Sequence, residues 1–185
     1  VINEAVVVTE PFKYIYVENA LPQADYESLV QRLDGFEWKS ISEVRPVKGY
    51  PERFVAACGF SFLGLNKLLC AKFGVAGDFT DETLLVRDMP GYKIGPHTDS
   101  AKKVITPLFY LRGQEGTSIY TPKEKGFTCN GGPHYEFEQF DKVATMPFKP
   151  NSMFAFLKSD KSFHGVETTQ HQRDVLLFDI RRKAS

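Results

Sequence analysis

Apolar positions along the chain fall into short runs, and the spacing within each run separates two kinds of element. From Ala24 to Leu33 the apolar residues Tyr26, Leu29, Val30 and Leu33 recur at the helical period, and Phe62 to Phe73 repeats the pattern before stopping at Gly74. Both stretches predict amphipathic helices that cover a sheet. The remaining runs are shorter and rich in β-branched and aromatic residues: Ala5 to Val8, Tyr14 to Val17, Leu84 to Asp88, Tyr92 to Asp99, Lys103 to Leu111, Val143 to Met146, Met153 to Leu157 and Arg173 to Ile180. In Lys103 to Leu111, alternation places Val104, Thr106, Leu108 and Tyr110 on one face.

Two segments break the pattern. Phe36 to Ala57, with Trp38, Arg45, Tyr50 and Arg53 among Pro46, Gly49 and Pro51, reads as a long loop or short hairpin. Pro122 to Asp141, which holds Cys129, Gly131-Gly132-Pro133 and His134, is too long for a simple hairpin. Either segment can shape a binding site. Strands that follow helices without βαβ alternation predict a mainly β protein: a double-stranded β-helix, or jelly roll, with flanking helices on one sheet. At 185 residues the chain predicts a single domain, residues 1–185.

Charge and cysteine content narrow the function. Lys and Arg balance Asp and Glu, so the chain lacks the field for non-specific binding to nucleic acid or membrane surfaces. Neither is expected as a partner. Cys58, Cys70 and Cys129 are odd in number and unspaced for a metal, which predicts free thiols in a reducing compartment, the cytoplasm. The sequence shows neither a signal-peptide pattern nor a long apolar run.

The chemistry concentrates around Gly95-Pro96-His97-Thr98-Asp99. In an extended segment positions i and i+2 share a face, so His97 and Asp99 converge. With four histidines in the chain, a third ligand comes from His134, His164 or His171. His164 follows an apolar strand-like run, whereas His134 lies in a loop among Gly and Pro, and His171 reads as an exposed turn residue. A rigid strand end holds a ligand better than a loop does. His97, Asp99 and His164 make a two-histidine, one-carboxylate facial triad, the ligand set of non-haem Fe(II) centres with open positions.

These residues together resemble the Fe(II)- and 2-oxoglutarate-dependent dioxygenases, in particular the branch related to prolyl hydroxylases. The likeness runs from Pro11 to Pro22, which is similar to the family's first strand leading into a helix, through Tyr110-Leu111 and His164-Gly165-Val166 to Arg173. It departs at Gly116-Thr117-Ser118-Ile119, where the family often has a Gly-Gly-Glu-Leu-like run, and at Val175, where a Ser is common. The resemblance implies an enzyme that uses Fe(II), 2-oxoglutarate and O2, hydroxylates an aliphatic carbon of a peptidyl proline or small molecule, and releases succinate and CO2. It implies that Arg173 pairs with the distal carboxylate of 2-oxoglutarate, assisted by Tyr110. Read without the resemblance, Arg173 is a strand-end residue pairing with Asp174 or Asp179, and Tyr110 is a core residue. A cupin-like binding module is the other reading of a jelly roll, but cupins usually carry His-x-His where this chain has Asp99. A nucleic-acid demethylase of the AlkB type would show denser arginines after the second histidine.

Overall fold

The computed structural model describes residues 1–44, 52–58, 62 and 64–183. Arg45, Pro46, Gly49, Tyr50 and Pro51 of the first irregular segment, and Leu63 of the second helical run, lie outside the described residues.

Strands β1 (Tyr14–Val17), β2 (Lys39–Ser40), β3 (Arg53–Ala56), β4 (Phe79–Asp88), β6 (Lys103–Arg112), β9 (Ser152–Leu157) and β11 (Arg173–Arg182) form one sheet in the order β1-β9-β6-β11-β4-β3-β2. A smaller sheet, in the order β5-β10-β7-β8, holds β5 (Ile94–His97), β7 (Ser118–Pro122), β8 (Phe140–Thr145) and β10 (His164–Val166). All the pairings are antiparallel. This is the expected jelly roll of two facing sheets.

Alternation along each long strand sorts the core into two layers. On the outer face of the larger sheet, Leu85, Ile105, Phe109, Met153, Leu176 and Phe178 pack with Leu29 and Leu33 at the first helix, α1 (Gln23–Arg32), and with Leu65, Leu69 and Phe73 of α3 (Leu65–Phe73). Gly74 ends α3 in the left-handed conformation (φ 69°), as its position predicts. Between the sheets lie Leu108, Tyr110, Ile119, Phe154, Phe156 and Val175. Residues of the segment between β7 and β8 cover the smaller sheet's outer face, where Cys129 packs with Tyr120, Phe140 and Phe163.

The structure departs from the sequence reading in several places. Ala5 to Val8 makes only an isolated bridge, from Val8 to Tyr14, after a 3-10 turn at Ile2–Glu4. The first irregular segment has the antiparallel pair of its hairpin reading, β2 with β3, and differs from that reading in a short helix, α2 (Ile41–Val44). Arg181, past the Ile180 end expected for the last strand, belongs to β11 and is ion-paired with Glu82 and Asp179. Val104 does not share the face of Thr106 and Leu108. The β6–β11 register passes from Ile105↔Ile180 to Lys103↔Arg181, so Val104 is the extra residue of a bulge and joins the helix-side core. The three cysteines are free and buried. No helix among the described residues is long and apolar enough to cross a membrane.

Candidate functional site

The smaller sheet brings two histidines together directly. His97 ends β5, His164 begins β10, and the two are cross-strand partners, with ring centroids 4.3 Å apart. Each ring is oriented from behind, His97 Nδ1 by the Gly95 carbonyl at 2.9 Å and His164 Nδ1 by the Ser162 carbonyl at 3.0 Å. A carbonyl only accepts, so Nδ1 carries a proton in each ring, and Nε2 is the atom that each ring turns toward the site.

Asp99 joins them by a different route from simple alternation. It lies beyond the end of β5 with φ 66°, a left-handed conformation that turns its side chain back toward the histidines. Its oxygens stand 3.7 Å from His97 Nε2 and 3.7 Å from His164 Nε2, and one ligand atom from each of the three residues lies within 4.8 Å of the others. Two imidazoles and a carboxylate in a buried recess form a donor set suited to a first-row divalent cation.

The surroundings set the charges. Burial raises the Asp99 carboxyl, but positive charge beside it, the Lys103 ammonium first, outweighs that and holds the group well below the usual carboxylate range. Lys103 Nζ is 3.2 Å from Asp99 Oδ1, and Thr106 donates to Oδ2 at 2.9 Å. Burial, with the neighbouring His97, pushes His164 down to about 3, so it is neutral at ordinary pH and competent as a ligand.

These groups open into a cavity of about 630 Å³ whose floor is the inner face of the larger sheet. Strand register arranges the floor in rows. The first is Arg53 and Arg173, with Asp88 buried between them; the second includes Val55, Val86 and Val175; the third includes Leu84, Leu177 and Leu108; Glu82 and Asp179 are cross-strand partners in the fourth. Thr106 and Lys103, the partners of Asp99, tie the triad to the end of the floor away from Arg173. Arg173 is 2% exposed and does not pair with Asp174 or Asp179. It donates from Nε to Asp88 at 2.9 Å and from Nη1 to the carbonyls of Glu115 and Gly116, which leaves Nη2 without a partner among the described residues. Asp174 is instead held by Arg87 and Arg112.

Tyr110 is fully buried and stacked on Phe148, and its oxygen accepts from the Thr117 amide at 3.1 Å. Thr117 lies in the wall, and its hydroxyl is buried with no hydrogen-bond partner among the described residues. An orphaned hydroxyl beside a guanidinium suits a carboxylate ligand. The sequence reading missed Thr117, because the run that contains it stood out only as a mismatch. It also missed Lys103 and Asp179, which a bulge and register bring to the cavity, and Asp88, which is buried behind the cavity and holds Arg53 and Arg173.

The segment between β7 and β8 walls the triad. Tyr135 donates to the Pro96 carbonyl at 3.0 Å, Thr98 to the Cys129 carbonyl at 2.6 Å, and Gly131 to Thr98 at 3.1 Å. A Cβ at Gly95 would meet the Tyr135 carbonyl oxygen at 2.1 Å, so only glycine allows this approach. His134, expected in a mobile loop, is held close by: its ring centroid is 4.6 Å from that of His97 and it lines the cavity, but it is not one of the three clustered ligands. His171 is exposed and pairs with Glu115 at 2.9 Å.

No protein-family model and no curated protein sequence matches the chain. Solved structures do. An oxidoreductase of the 2-oxoglutarate-Fe(II) oxygenase family from Burkholderia pseudomallei aligns with a TM-score of 0.60 and 13% identity, over 92% of this chain and 84% of that one. HygX from Streptomyces hygroscopicus, solved with nickel, 2-oxoglutarate and hygromycin B, aligns with a TM-score of 0.61 and 12% identity, over 92% and 83%. A prolyl-4-hydroxylase from Pseudomonas putida aligns with a TM-score of 0.55 and 16% identity, over 92% of each chain. The fold is shared with these oxygenases.

Proposed function

We propose that this chain, built on the fold of the 2-oxoglutarate-Fe(II) oxygenases, is an enzyme of that kind that hydroxylates an aliphatic carbon. The observation that carries the reading is one cavity holding both the His97, Asp99 and His164 cluster and the unengaged edge of the Arg173 guanidinium.

His97, Asp99 and His164 would hold Fe(II) on one side and leave its remaining positions open. Arg173 Nη2 would pair with the distal carboxylate of 2-oxoglutarate, assisted by the hydroxyls of Tyr110 and Thr117. Tyr110 accepts from the Thr117 amide and so keeps its own proton to donate. Between the two ends Val175, Leu177 and Leu108 offer an apolar floor for methylene groups. Fe(II) with 2-oxoglutarate and O2 supplies oxidative decarboxylation to succinate and CO2, coupled to hydroxylation of a C–H bond. Burial of the triad between the sheets limits water around the reacting groups.

The substrate is a small molecule or a peptide that enters over β3 and β4, where Ile41, Val55 and Leu84 line the cavity. Hygromycin B in the HygX structure and the prolyl-4-hydroxylase name represent both classes, and peptidyl proline is the first substrate to assay. Anaerobic titration with Fe(II) and then 2-oxoglutarate should produce a weak visible charge-transfer band that His97→Ala abolishes. A chain that yields neither the band nor succinate in air would refute the assignment.

A further inference from the structure

Lys103 occupies a place that strand alternation denies it. Without the bulge at Val104 it would point to the helix side with Ile105; with it, Lys103 enters the cavity and Val104 takes the core position. The ammonium is almost enclosed, its side chain 12% exposed, and stands 3.2 Å from Asp99 Oδ1 and 2.9 Å from Asp179 Oδ1. Asp179 enters from β11, and Arg181 behind it is balanced by Glu82. A buried ammonium is unfavourable unless closely compensated, so a bulge that delivers one against a candidate metal ligand calls for an explanation beyond packing.

We propose that Lys103 and Asp179 are a positioning pair that sets the charge a divalent metal meets at His97, Asp99 and His164, Lys103 lowering metal affinity and Asp179 restoring it. The inference rests on the metal-binding reading above. The two carboxylates and the one ammonium together contribute a net charge of −1 beside the histidines. Removing the ammonium makes it −2, and neutralising Asp179 makes it 0. At these separations and in a recess screened from water, one unit of charge is large against thermal energy. Lys103 and Thr106 also hold one oxygen each of Asp99 and so fix the plane of the carboxylate. A purely structural lysine would have the opposite signature, because its loss would loosen the cluster and weaken metal binding.

The test is a charge cycle read by Co(II) titration of the full chain under anaerobic conditions, followed by visible absorption, without any turnover. Lys103→Met should bind Co(II) about fivefold tighter or more, and Asp179→Asn about fivefold weaker or more. The double variant K103M/D179N should return to near the native value, and Lys103→Arg should stay there. Circular dichroism checks that each variant is folded, and Lys103→Arg with Asp179→Asn decides the matter if Lys103→Met does not fold. Weaker binding by Lys103→Met, or affinity unchanged by Asp179→Asn, overturns the charge-setting role alone. A native chain that fails to bind Co(II) overturns the metal reading and this inference with it.

Discussion

Asp88→Asn tests whether the end of the cavity that holds Arg173 is organised by charge. Asp88 is 0% exposed and takes three charged hydrogen bonds: from Arg53 Nε at 2.6 Å, from Arg53 Nη2 at 3.0 Å and from Arg173 Nε at 2.9 Å. Asparagine preserves the shape and one acceptor oxygen but removes the charge between two guanidiniums. Breaking a buried ion pair from one side costs about 3–5 kcal/mol, because the partner stays buried and uncompensated. Arg173 has that fate, whereas Arg53, with an 18% exposed side chain, can turn toward water. The expected loss is therefore near the lower end, about 3 kcal/mol. For a chain of this size that corresponds to a drop in Tm of about 6–12 °C. Thermal and urea unfolding of the metal-free protein, followed by circular dichroism, measure it. A drop below about 3 °C would mean that Asp88 does not hold the two arginines by its charge, and the account of how Arg173 is presented would fail.

Thr117→Val replaces an orphaned hydroxyl with a methyl of the same shape, so stability should be unchanged or slightly higher while 2-oxoglutarate binds about three- to tenfold more weakly; urea unfolding checks the first and isothermal titration with Mn(II) present the second. Gly95→Ala must displace the Tyr135 carbonyl, and a loss of about 2–4 kcal/mol in urea unfolding is expected, with faster proteolysis between Lys123 and Tyr135. In chelator-treated protein, His164 has a folded-state pKa of about 3 against an ordinary 6.5, so below pH 6.5 the unfolded chain binds a proton that the folded chain does not. Its contribution is full above pH 6.5 and falls by up to about 1.4 kcal/mol per pH unit toward pH 3. Comparing pH-stability curves of the native protein and His164→Gln should show a steeper native decline in that window, and parallel curves would contradict the neutral buried histidine.

Much of the architecture could be read in one dimension because its cause is local. The 3.6-residue spacing of Leu29 and Leu33 and the stop at Gly74 located the two covering helices, and alternation in β6 placed Thr106, Leu108 and Tyr110 on one face. Where alternation broke, the reading broke with it. One extra residue at Val104 exchanged Val104 for Lys103 in the cavity, and a bulge shows itself only when the register of a partner strand is known. Asp99 meets the histidines by a left-handed backbone and not by the extended one that the His-x-Asp spacing suggests. His97 and His164 become neighbours through one cross-strand pair between distant segments. Arg173 found Asp88, eighty-five residues away, in place of the nearby acids first considered for it. Residue types and their periods determined by themselves the kind of fold and the list of candidate ligands, because those follow from burial of each element's own apolar face. Which charges oppose one another inside the cavity was decided only in three dimensions, because electrostatic partners depend on strand register and separation in space, and neither is written in sequence order.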